Sequence, residues 1–181
     1  MTASVETDAG ARSDEQFILW ILVWSELIAF GILLAAFLVL SLLHPESYAM
    51  AKLHLNGRLA SFNTLVLIAS GWFAAEAHRA QSIHIRRAAL LGAAILGFLF
   101  VGIKVIEYSG EIRFAGDAAF HAFFELYFLI TGFHLAHVIF LGFVMLAIAR
   151  RAETETVRTV TTLWHVIDLV WLTIFPVLYL G

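Results

Sequence analysis

Residues able to do chemistry are few in this sequence, and they stand out because they interrupt long apolar runs. His134-x-x-His137 places two imidazoles three positions apart, so on a helix they share a face and both could turn inward. That spacing suits metal or haem ligation, and equally a hydrogen-bonded contact between helices. A di-iron carboxylate bundle would require Glu-x-x-His on paired helices with further carboxylates from two others, a pattern this chain lacks, so the contact reading is favoured. Glu26 is a lone carboxyl in the first apolar run. Burial disfavours a charged carboxylate, which leaves two roles open: a proton carrier, or a satisfied partner of another helix. His165 and Asp168 repeat the three-residue spacing on the last apolar run. Lys104 and Glu107 repeat it near the end of the third, where ion pairing and snorkelling toward headgroups both lower the cost of charge. The chain has no cysteine, which excludes disulfides, iron–sulfur clusters and thiolate-bound metals.

The elements that must position these groups are membrane spans. Of the 181 residues, 61% are hydrophobic and 14% charged, and mean hydropathy is +0.89, outside the range of a soluble domain. A span needs about 20 mostly apolar residues to cross a core of roughly 30 Å. Runs of that kind cover residues 17–43, 59–77, 88–108, 123–149 and 160–180, joined by short polar connections. The expected fold is an all-α membrane bundle of five transmembrane helices over residues 17–181, with antiparallel neighbours, after a polar tail at 1–16. That tail lacks the positive start and short apolar core of a cleaved signal, so the N-terminus is expected to be retained.

The tail and the second and fourth connections carry Arg12, Arg79, Arg86, Arg87, Arg150, Arg151 and Arg158, against Lys52, Arg58, Arg113 and the intraspan Lys104 on the other side. This bias predicts a cytoplasmic N-terminus and a periplasmic C-terminus. Counted from the cytoplasmic helix ends at about 1.5 Å per residue, Glu26, His137 and Asp168 reach similar depth, with His134 and His165 one turn to either side. A single intramembrane polar network of Glu26, His134, His137, His165 and Asp168 is therefore expected, with Lys104–Glu107 as a separate structural pair near the periplasmic side. Trp164, Trp171 and Phe175 follow a helical stripe with Asp168, a packing pattern that would also suit lipid tails or a partner helix. The net charge of −3 and the lack of basic stretches interleaved with aromatics exclude a nucleic-acid partner.

These polar residues lie in strings that resemble the haem–copper oxidase subunit III family, in order across all five runs. Trp24-Ser25-Glu26 is similar to the family's Ser-Glu, whose carboxylate is known to react with carbodiimide. Phe62-Asn63-Thr64-Leu65 with Ser70-Gly71-Trp72 resembles its Leu-Asn-Thr and small-residue segment, and Glu107-Tyr108 its Glu-Tyr pair. Thr131-Gly132-Phe133-His134-Leu135-Ala136-His137-Val138 is similar to Thr-Gly-x-His-x-x-His-Val, and residues 164–172 resemble Trp-His-x-x-Asp-x-x-Trp-Leu. Lys104, where mitochondrial-type relatives carry Gln, and the ending Phe175-Pro176-Val177-Leu178-Tyr179-Leu180 look most like the nitric oxide reductase accessory branch. The resemblance implies a protein with no catalytic centre and no haem, copper or other metal of its own, and a cleft that takes phospholipid. Haem and metal would sit in a partner catalytic subunit in a bacterial inner membrane. It further implies support of nitric oxide reductase activity or assembly in denitrification. The alternative is subunit III of an oxygen-reducing cytochrome c or quinol oxidase, supporting proton uptake and stability.

Overall fold

The computed structural model describes residues 2–180, with side chains from Phe17 to Leu180; the polar tail read at residues 1–16 lies outside the described side chains. The chain folds as α1 (Thr2–Leu43), α2 (Pro45–Lys52), α3 (Gly57–Arg79), α4 (Ile83–Ala115), α5 (His121–Ala149) and α6 (Thr154–Phe175), closing on a π-helical turn, Pro176–Leu180. Phe17–Leu43, α3, α4, α5 and Thr154–Leu180 are long and apolar enough to cross a membrane. Helices satisfy their backbone groups internally, which hydrocarbon demands. The chain is an integral membrane protein, an all-helical bundle of five spans.

The connection after α1, read from sequence as polar punctuation, contains a helix of its own. Pro45 occupies the first turn of α2, Glu46 sits beside it and Lys52 lies in the last turn, so both ends complement the helix dipole. Tyr48 anchors α2 to the bundle, its ring 5.2 Å from Phe37 and 5.3 Å from Phe123. Ser47 Oγ donates to the carbonyl of Ala119 in the α4–α5 connection. Burial raises the Tyr48 hydroxyl above its ordinary pKa. α2 escapes sequence reading because only eight residues, mostly small or polar, carry it. α3 starts two residues before the apolar run read at 59–77, where the Asn56 side chain accepts from Leu59 N at 3.1 Å as an N-cap.

The tightest seam joins α3 to α4 through small and polar residues rather than large apolar ones. Ser70 Oγ donates to Ala93 O at 2.7 Å, and Asn63 Nδ2 to Phe100 O at 3.0 Å, both buried. Side chain to backbone bonds of this kind require helices to approach closely, which small residues allow. α6 then packs over the same seam. A Cβ at Gly97 would lie 2.5 Å from Trp164 Cη2, and one at Gly71 would lie 2.6 Å from Asp168 Oδ2. At one end, Arg86 ties two connections together, with Nη1 donating to Ala152 O and Thr154 Oγ1 and Nη2 to Ala80 O, each at 2.9 Å. Ala152 takes a left-handed conformation, φ 51°, to turn the chain there. α1 lies outside this core, touching α5 and α6 along one edge; 17% of its apolar window is buried, against 33–44% for the other spans.

Gly97→Ala is expected to destabilise the bundle by about 1–3 kcal/mol, because the indole of Trp164 must move to admit the methyl group. Gly102→Ala, whose Cβ meets nothing within 4 Å, is the control and should melt with the unaltered protein in detergent. Equal melting of both variants would contradict the packing described.

Candidate functional site

Polar groups inside the bundle form three sets rather than one network. The first joins α1 to α5. Glu26 Oε2 lies 3.0 Å from His137 Nε2, with the two side chains 21% and 22% exposed. His137 Nδ1 faces Phe133 O at 2.8 Å, and since a carbonyl only accepts, Nδ1 carries a hydrogen. The approach of Nε2 to Glu26 Oε2 is a close contact of an imidazole nitrogen with a carboxyl oxygen, and Oε2 accepts no hydrogen bond there. Phe30 covers the pair, its ring 5.9 Å from that of His137 and 5.0 Å from that of Phe133. The arrangement brings one carboxyl and one imidazole together at the edge of the bundle, between α1 and α5.

His134, one turn away, does not join them. It is wholly buried, neither ring nitrogen has a hydrogen-bonding partner, and its neighbours are the rings of Phe100 at 5.7 Å, Trp171 at 5.1 Å and Phe30 at 6.2 Å. Among the described residues, no group of three or more His, Asp or Glu side chains is placed to hold a metal ion. His165 and Asp168 form the second set, Nδ1 to Oδ2 at 3.8 Å, on the α6 face that meets Gly71. Asp168 Oδ1 is buried without a partner. Similar depth therefore brings Glu26 to His137, helical spacing alone sets His165 beside Asp168, and the two pairs and His134 stay apart. Depth is read from residue counts, whereas joining across helices depends on how each helix is rotated about its axis.

The third set surrounds Lys104, which does not snorkel. Its ammonium is wholly buried and donates to Glu107 Oε2 at 3.1 Å, Tyr127 OH at 2.7 Å and Tyr179 OH. Four aromatic rings, of Tyr108, Tyr127, Trp171 and Tyr179, have centroids within 4.8–5.5 Å of the nitrogen, so cation–π attraction adds to hydrogen bonding. Tyr179 OH donates to Glu107 Oε1 at 2.6 Å, and Tyr108 OH to Thr131 Oγ1 at 2.6 Å. Sequence reasoning found Lys104 and Glu107 but missed Tyr127, Tyr179, Tyr108 and Glu111. Glu111 was within reach, since positions 104, 107 and 111 share one helix face. The tyrosines gave no signal, because a ring in an apolar run reads as packing.

Trp164 and Trp171, read as candidates for lipid or partner packing, are 1% and 0% exposed, so what they pack against is this chain's own interior. Trp171 Nε1 donates to Thr64 Oγ1 at 3.0 Å, binding α6 to α3. Phe175 is half-buried and stacks on Tyr179 at 5.5 Å.

Comparison with known proteins is consistent in one direction. The profile of the family described as cytochrome c oxidase subunit III matches residues 15–181. The chain is 28% identical over 182 residues to cytochrome bo(3) ubiquinol oxidase subunit 3 of Buchnera aphidicola subsp. Schizaphis graminum, covering 94% of this chain and 95% of that protein. It is 29% identical over 174 residues to a probable cytochrome c oxidase subunit 3 of Nocardia farcinica, covering 87% and 84%. With cytochrome c oxidase subunit 3 of Neurospora crassa the identity is 32% over 133 residues, 67% of this chain and 48% of that one.

Lys104→Met is expected to cost about 3–5 kcal/mol, because it strands the Glu107 carboxylate in the interior. Adding Glu107→Gln to it should recover much of the loss. Melting of the single and double variants in detergent checks this, and a double variant no more stable than the single one would show that the two groups are not coupled.

Proposed function

The chain belongs to the cytochrome c oxidase subunit III family, and on that premise we propose that it is a non-catalytic membrane subunit supporting the activity or assembly of a nitric oxide reductase. Haem and metal chemistry then belongs to a catalytic subunit of haem–copper type, against which this bundle packs in a bacterial inner membrane, N-terminus cytoplasmic and C-terminus periplasmic. Phospholipid fills part of the contact between them.

The observation that carries the nitric oxide reductase reading is the bond between Lys104 and Tyr179. Two features align the sequence with that accessory branch: a lysine at position 104 and the ending at residues 175–180. They are 75 residues apart, yet they meet as one buried unit with Glu107. The second reading, subunit III of an oxygen-reducing oxidase, is favoured by the names of the relatives, which are subunits of ubiquinol and cytochrome c oxidases.

The role drawn for Glu26 and His137 is local proton exchange beside the catalytic subunit, supported by their 3.0 Å contact at the bundle edge. α1 offers that subunit an apolar surface on which Trp20, Trp24 and Ile28 are all more than half exposed.

Isolation of the tagged protein from native membranes in mild detergent should recover nitric oxide reductase subunits and a haem spectrum. Deleting the chain should lower nitric oxide consumption more than oxygen consumption. Recovery of an oxygen-reducing oxidase, with oxygen uptake impaired instead, would assign the second reading. Glu26→Gln is expected to lower turnover while leaving subunit recovery intact; unchanged turnover and recovery would remove the pair from the mechanism.

A further inference from the structure

Lys104, Glu107 and Glu111 occupy one face of α4, and none is more than 4% exposed. With all three ionised, this column would hold two negative charges against one positive where no water compensates the excess. Lys104 is the one cation acting on Glu111 among the described groups. Tyr108 on the same helix, Tyr127 on α5 and Tyr179 on the closing turn bring hydroxyl groups, and His134 of α5 faces Lys104 from the inner side. α3, the other helix packed on α4, presents Asn63, Thr64 and Ser70 as its buried polar groups, none of which titrates.

Hydrogen bonding distinguishes the two carboxyls. Glu107 Oε2 accepts from Lys104 at 3.1 Å, while Oε1 accepts from Tyr179 at 2.6 Å and faces Tyr127 OH at 3.4 Å. Both oxygens are thus engaged as acceptors, the pattern of an ionised carboxylate. Glu111 is different: it is 3% exposed and adjoins Tyr127 and the Glu107 carboxyl, yet no donor is aligned on either of its oxygens in hydrogen-bond geometry. A carboxylate would leave both oxygens and a full charge uncompensated there, whereas an added proton removes the charge.

We propose that Glu111 is a proton-binding site: its carboxyl holds one proton at neutral pH, leaves Lys104 and Glu107 charge-balanced, and exchanges that proton with water at the α4–α5 connection. Glu111 stands four residues from Ala115, where α4 ends, so the route to water is one helical turn. The ligand is a proton and nothing larger. The site is independent of which haem–copper partner the chain serves.

The test is infrared spectroscopy of the full chain in lipid nanodiscs, with Glu111→Gln and Glu107→Gln compared. The expected result is a carboxylic-acid C=O band at neutral pH that is lost in Glu111→Gln, kept in Glu107→Gln, downshifted in heavy water, and titrated away reversibly as pH rises. Because an amide matches a neutral carboxyl in size and charge, Glu111→Gln should also fold and melt as the unaltered chain does. A band that survives Glu111→Gln overturns the assignment, and one that never shifts in heavy water overturns exchange. A Glu111→Gln chain that fails to fold overturns the neutral state.

Discussion

A lysine ammonium with no access to water is the constraint around which one end of this bundle is built. The Lys104 ammonium is wholly enclosed by protein, so the charge must be answered where it lies. Glu107 from the next turn of the same helix, Tyr127 from a neighbouring span and Tyr179 from the end of the chain provide that answer. Each is held by what it gives to the others, for Tyr127 and Tyr179 also meet hydroxyl to hydroxyl at 2.8 Å. The closing π turn is the means by which α6 delivers Tyr179 after Pro176 interrupts the regular hydrogen-bond ladder.

The same rule, that interior polar groups must find partners within the bilayer, governs the rest. Ser70 and Asn63 spend their donors on carbonyls of α4, and Trp171 spends its indole N–H on Thr64. These bonds demand that α3, α4 and α6 lie close, and Gly71 and Gly97 supply the room. Packing and polar satisfaction are one requirement here: a methyl group on either glycine would displace the side chain that the seam was shaped to hold.

Much of the architecture was legible in the sequence because hydrocarbon imposes a length on apolar runs. All five spans could be placed from residue type alone, and α2 could not, since its eight residues are too short and too mixed to show a period. The polar residues announced themselves as types out of place, so Glu26, His134, His137, His165 and Asp168 were visible before any fold. Their partition was not. Which imidazole reaches Glu26 is decided by a rotation of α5 that turns His137 outward and His134 into an aromatic enclosure, and no residue count records that rotation. Tyr127 and Tyr179 were hidden for another reason: a phenol shows its ring to a hydropathy reading and its hydroxyl only to a neighbour.

The loose attachment of α1 has a further consequence. Four spans close on one another without it, and among the described residues its one ionisable contact with them is the Glu26–His137 pair. Swinging α1 aside would separate these two groups and uncover Phe30, Leu34 and Phe37, which it buries against the other spans. Whatever leans against α1, a neighbouring subunit or a lipid, thereby presses on the helix whose position sets the distance between Glu26 and His137.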